Sequence, residues 1–112
     1  MKKMTTNTLK IKTLSVNQAW QGRRFKTKAY KDYEKLLFNI LPDIEIPKGE
    51  LKICFEFGFS NKASDIDNPT KPLLDIFQKK YGFNDKLIYS LHIDKKIVCR
   101  GEEYFSFSVS KR

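Results

Sequence analysis

The sequence predicts an α/β protein of the two-layer α+β kind: a mixed sheet in the order strand, helix, strand, helix, strand, strand, with two helices packed on one face. Three observations lead there. Apolar side chains alternate with period two in three separate stretches, recur at helical spacing in two others, and are punctuated between by proline and glycine. With 112 residues the chain is one domain, residues 1–112, and short strands that are apolar on one side only need helices to cover that side.

The elements follow in order. Leu9 and Ile11, separated by Lys10, predict a short first strand, and the segment from Leu14 to Lys26, containing Gly22, predicts an irregular loop. Thr27 is a candidate N-cap for a helix whose apolar stripe is Ala29, Tyr30, Tyr33, Leu36, Leu37, Ile40 and Leu41, stopped by Pro42. After the turn at Pro47-Lys48-Gly49, Leu51, Ile53, Phe55, Phe57 and Phe59 share one side of a strand. Pro69 is placed as the first residue of a second helix, with Leu73, Ile76 and Phe77 buried and Gly82 at its end. Leu87, Tyr89, Leu91 and Ile93 alternate, as do Phe105, Phe107 and Val109, and the turn Arg100-Gly101-Glu102 predicts that they form a terminal hairpin.

Composition narrows the function classes. Lys and Arg number 22 against 13 Asp and Glu, a net charge of +9, while 40% hydrophobic residues with nine Phe and five Tyr exclude a disordered basic tail. Residues 1–48 carry net +7 and residues 49–112 only +2. No apolar run approaches the roughly 18 residues of a membrane span, and the N-terminus lacks the apolar stretch of a signal peptide, so no membrane partner and a cytoplasmic location are expected. Cys54 and Cys99 are read as free thiols, and His92, the single histidine, as a surface residue on the polar face with Ser90 and Asp94.

The segment Ser64-Asp65-Ile66-Asp67-Asn68-Pro69-Thr70-Lys71 holds the chemistry. In an extended segment Asp65 and Asp67 project to the same side, and their mutual repulsion is relieved by a hard cation such as Mg²⁺, which takes one or two carboxylates and fills its shell with water and phosphate oxygens. Asp67 or Asn68 would open the second helix, Lys71 in its first turn would neutralise a scissile phosphate, and Asn84-Asp85 would bring a third carboxylate to the same end of the sheet. The competing account of the same residues is plain helix capping, an exposed Lys71–Asp75 pair and a turn at Asn84-Asp85. A polyanion-binding surface is read in Arg23, Arg24, Lys26, Lys28, Lys31 and Lys35, with Phe25 as an aromatic neighbour and Trp20, the single tryptophan, read as packed into the core.

Ser15-Val16-Asn17, Gly22-Arg23-Arg24 and Tyr30, followed by Asp65-x-Asp67-Asn68-x-x-Lys71-x-x-x-Asp75 and Gly82-x-x-Asp85, resemble the RusA family of Holliday junction resolvases over residues 9–109. The resemblance implies a homodimeric, Mg²⁺-dependent endonuclease, with Mn²⁺ able to substitute, that nicks four-way DNA junctions in phage or prophage recombination. Under it, Asp65, Asp67 and Asp85 are the metal-binding acids, Lys71 the active-site lysine, Asn68, Asp75 and Asn84 supporting residues, and Asn17 with the basic residues the DNA contacts. Where many members have two adjacent acids, this chain has Asn84-Asp85, which leaves one anionic ligand in that pair. The two-fold symmetry of a junction independently favours a two-fold dimer. The alternatives are a non-catalytic basic nucleic-acid-binding module and a small protein-interaction domain.

Overall fold

The structure, a computed structural model, describes residues 6–14, 20–21, 25–67 and 69–112. The elements are β1 (Asn7–Leu9), β2 (Trp20–Gln21), β3 (Phe25–Lys26), α1 (Lys28–Ile40), β4 (Leu51–Phe59), α2 (Thr70–Tyr81), a 3-10 turn (Asp85–Leu87), β5 (Ile88–Ile97) and β6 (Tyr104–Lys111). A four-stranded mixed sheet has the order β1-β6-β4-β5, and β2 and β3 form a separate two-stranded ribbon. That ribbon lies inside the segment expected to be irregular; strands of two residues are too short to display any alternation.

Both helices cover one face of the sheet. Tyr30, Tyr33, Leu37 and Leu41 from α1 and Leu73, Ile76 and Phe77 from α2 pack with Ile53, Phe55, Phe57, Phe105 and Phe107 into one core. Phe77 stands at its centre, edge-on to Phe55 at 5.6 Å and to Phe107 at 4.8 Å between ring centroids, so the α2 stripe is keyed to both middle strands. The helices begin and end where their side chains dictate. Thr27 caps α1, its hydroxyl oxygen accepting from the Tyr30 N–H at 3.1 Å, and Gly82 closes α2 in the left-handed conformation at φ 72°. Pro69 is the cap of α2 and Thr70 its first helical residue, one position later than expected.

Two expectations about the sheet are corrected. β5 and β6 are not a hairpin: β4 lies between them, parallel to β5 and antiparallel to β6. The reason is the crossover. β4, α2 and β5 form a strand–helix–strand unit that returns β5 parallel to β4, and the most apolar strand, β4, takes the central position. The alternation through Leu87, Tyr89, Leu91 and Ile93 is also interrupted. Leu51 pairs with Ile88 but Lys52 with Ser90, so Tyr89 is an extra residue at a bulge and is 57% exposed.

The open face of the sheet is polar. Glu56 accepts from the Tyr104 hydroxyl at 2.6 Å, Thr8 and Ser106 share a hydrogen bond of 2.8 Å, and His92 pairs with Asp94 at 3.1 Å, all on side chains that alternate with the core positions. Cys54 and Cys99 are free thiols. Among the described residues no helix is long and apolar enough to cross a membrane.

A candidate nucleic-acid-processing site at the C-terminal end of β4

Where β4 ends, Phe59 is joined to β5 by the Val98 N–H, which donates to the Phe59 carbonyl at 2.8 Å. The chain then makes a compact loop. The Asn61 side chain accepts from the Ala63 N–H at 2.8 Å, and Lys95 from β5 donates its ammonium to the carbonyls of Lys62 at 3.2 Å and Ser64 at 2.9 Å. The loop walls a cleft of about 210 Å³ lined by Lys12, Thr13, Gly58, Phe59, Ser60, Asn61, Ser64, Asp65, Pro69 and Glu103. Lys62 and Arg100 extend its rim beside Lys12 and Glu103.

The floor is as narrow as it is because of Gly58. It faces Tyr104 across the β4–β6 ladder, and a Cβ on Gly58 would stand 2.3 Å from the tyrosine ring. Only glycine lets the ring lie across the strand there. Glu103 is fixed on the opposite wall, its two carboxylate oxygens accepting from the Ser60 hydroxyl at 2.9 Å and the Gly101 N–H at 2.8 Å. Its own backbone N–H and the Ser60 hydroxyl hold its carboxyl below the usual carboxylate range.

The sequence-predicted residues divide between two ends of the protomer. Asp65 lines the cleft, and Asp67 is exposed beside it at the start of α2. The segment that carries them is bent at Ile66 and Asp67, not extended, because Thr70 pulls it back: its hydroxyl donates to the Ile66 carbonyl at 2.7 Å and its N–H to the Asp67 carbonyl at 3.2 Å. Neither aspartate caps the helix; the cap position is Pro69 and has no side-chain hydrogen bond. Neither carboxylate has a hydrogen-bond or ion-pair partner among the described residues. Lys71 is exposed in the first turn of α2 and makes no ion pair with Asp75; burial, then Glu34 and least of all the Asp75 carboxylate raise the Tyr30 phenol pKa.

Asp85 lies at the other end of the protomer, not at the same end as expected. β4 and β5 run parallel, Leu51 beside Ile88 and Phe59 beside Ile97, so the residues just before β5 sit at the start of β4 and the residues just after β4 sit at its end. The nine residues of β4 span roughly 26 Å and the twelve of α2 about 18 Å, which is the order of the separation of Asp85 from Asp65 and Asp67. Asn84 is a cap there, its side-chain oxygen accepting from the Lys86 N–H at 3.0 Å, and the Asp85 N–H donates to Gln78 at 3.1 Å, leaving the Asp85 carboxylate exposed.

The basic start of α1 is held against the second helix. Glu34 meets Lys79 at 3.0 Å, the Phe38 carbonyl accepts from Lys80 at 3.0 Å and the Pro42 carbonyl from Tyr81 at 2.7 Å. The start of α1 carries exposed Lys28 and Lys31, and the Tyr30 ring between them lies 5.9 Å from the ammonium of Lys79, in the last turn of α2 and away from the cleft. Asn17, Arg23, Arg24 and Asn68 lie outside the described residues, as does the side chain of Lys26.

Glu103, Lys12, Lys62 and Arg100 belong to the cleft and were not read from the sequence. The usable signal was topological. A strand–helix–strand crossover puts the loop after β4 and the loop after β5 at one end of the sheet, and so places Glu103 and Arg100 beside Asp65. Within one protomer the described residues contain no group of three or more His, Cys, Asp or Glu able to hold a metal ion. Asp65 and Asp67 together still meet what Mg²⁺ asks of a protein, which is one or two carboxylates. No protein-family model matches the chain, and no curated protein matches it. Function has to be argued from the site.

Proposed function

We propose that the protein is a divalent-metal-dependent, structure-selective DNA endonuclease that resolves four-way junctions as a homodimer, similar to the RusA family. One observation carries the reading. Among the described residues the Asp65 and Asp67 carboxylates have no hydrogen-bond or ion-pair partner, while Lys12, Lys62 and Arg100 line the cleft and its rim beside Asp65 and Lys71 is exposed in the first turn of α2. Acids that served only as helix caps would hydrogen-bond the helix, and these do not.

In this reading Asp65 and Asp67 would hold Mg²⁺, which when bound would supply Lewis acidity toward the phosphate and activation of water. Lys71 places an ammonium where negative charge grows on the phosphate during attack. Lys12, Lys62 and Arg100 contact flanking phosphates and keep the strand in register, a task that carries no base information. Asp85 is too far from the other acids to act with them in its own protomer, so it serves the site of a second copy, and nicking requires the dimer. A junction presents two equivalent strands across its own two-fold axis, which suits two such sites.

The test separates chemistry from binding. Asp67→Asn is expected to abolish nicking of a synthetic four-way junction in Mg²⁺ or Mn²⁺ while junction binding stays within a few-fold of wild type. Undiminished nicking would remove the reading. Binding by the wild-type protein without any cleavage would favour the non-catalytic nucleic-acid-binding module.

A further inference from the structure

β5 is ten residues long, lies at an edge of the sheet, and leaves Leu91 and Ile97 43% and 44% exposed. Edge strands of this length are ordinarily shortened, covered or interrupted, since their free N–H and C=O groups accept another strand. The bulge at Tyr89 interrupts only the start of β5, and 90–97 pairs with β4 without a break. We infer that the free edge of β5 is the contact with a second copy of this chain, paired antiparallel about a two-fold axis through Ile93.

The register follows from the side chains. A two-fold axis normal to the sheet keeps the helices of both copies on one side, so residues directly opposite each other share a face. With the axis at Ile93, His92 faces the partner's Asp94 twice, Ser90 faces the partner's Lys96, Leu91 lies against the stem of the partner's Lys95, and Ile93 meets its own counterpart. All of these positions fall in the regular stretch of the strand. Moving the axis to Asp94 opposes Asp94 to itself and His92 to Lys96; moving it to His92 runs the ladder into the bulge at Tyr89. Moving it to Lys95 joins Asp94 to the partner's Lys96 but opposes Lys95 to itself. Among axes at residues 92 to 95, only the one at Ile93 sets no like charges directly against each other and keeps its pairs clear of the bulge.

The pairing stands on the strand itself, while its consequence for the site rests on the nuclease reading. The partner's β5 would lie about 10 Å from β4, two strand spacings away. In this register the start of the partner's β5, before which Asp85 lies, comes beside the end of this protomer's β5, the end of the sheet at which the cleft stands. The interface and the division of acids between two ends then have one explanation.

Sedimentation equilibrium without DNA tests the contact. The wild-type protein is expected to be a dimer at micromolar concentration. His92→Glu, which opposes two pairs of carboxylates across the axis, is expected to raise the dimer dissociation constant about tenfold or more. Adding Asp94→Lys to that variant turns each opposed pair into an attractive one and is expected to bring the constant back to within a few-fold of wild type. Both positions are exposed, so far-UV circular dichroism should be unchanged. A monomeric wild type, an unweakened dimer in His92→Glu, or no recovery in the double variant overturns the inference. If the dimer follows this pattern but never nicks a junction, the nuclease reading fails and the interface stands. An unweakened His92→Glu dimer that still nicks leaves the nuclease reading and removes the interface.

Discussion

The two ends of the sheet use carboxylates in opposite ways. At the end of β4 the loop is fixed by main-chain and lysine contacts, and the Asp65 and Asp67 side chains have no partner among the described residues. At the start of β4 the Asn84 side chain is consumed as a cap, the Asp85 N–H is tied to Gln78, and only one exposed carboxylate remains. The first end resembles a site lacking its third acid, and the second a third acid lacking its site. In the proposed dimer, two copies related by a two-fold axis would cure both deficits, which one protomer cannot.

The sharpest way to break that comparison is chemical. If Lys71 stabilises charge on the phosphate, Lys71→Ala should slow nicking by about 10²–10³-fold at unchanged Mg²⁺, with junction binding altered only a few-fold. A loss confined to binding would make Lys71 one more backbone contact. Next comes the floor of the cleft. Gly58→Ala drives a methyl group into the Tyr104 ring and should destabilise the fold by about 1–3 kcal/mol, read as a lower midpoint in urea. At the opposite end, Gly82→Ala meets no neighbour and is penalised only for its left-handed backbone, about 1 kcal/mol.

Smaller effects sharpen the electrostatic side. Lys12→Ala should weaken binding to all DNA structures alike and reduce the slope of log affinity against log salt by about 1, whereas an alanine at Lys52, away from the cleft, should leave the slope unaltered. The Tyr104 phenol, pushed up to about 12 chiefly by its hydrogen bond to the Glu56 carboxylate, favours the folded state below the ordinary tyrosine pKa of 10.0. That contribution disappears as pH rises through about 12. Glu56→Gln should return the tyrosine titration, followed by ultraviolet absorbance, toward its ordinary value.

Much of the fold was legible because burial writes itself as periodicity. Tyr30, Tyr33, Leu37 and Leu41 of the α1 stripe and the alternation of β4 are buried where expected, since each packs one face against a single core, while Ala29 and Leu36 at the margins of the stripe are exposed. The order of strands was less legible. Alternation says which face of β5 and β6 is apolar but not which strand each one pairs with, and a turn with a glycine fits a crossover as well as a hairpin. The site suffered from the same gap. Asp65, Asp67 and Lys71 are neighbours in the chain, so local spacing located them, whereas Glu103 and Arg100 reach the cleft only through the parallel pairing of β4 and β5. Asp85 was misplaced for that reason too. The bend at Ile66 and Asp67 depends on a threonine hydroxyl seeking a carbonyl, which no alternation pattern reveals.

A mixed dimer tests the central claim most directly. Asp67→Asn and Asp85→Asn chains, each inactive alone, are co-expressed with different tags and the dimer carrying both is purified. If Asp85 serves the other copy, one of the two sites in that dimer is intact, and nicking of one strand of a four-way junction should return to about half the wild-type rate per dimer, following the count of sites. If the mixed dimer is as inert as its parents, while a mixed dimer of differently tagged wild-type chains nicks normally, Asp85 does not complete its partner's site and the account is contradicted.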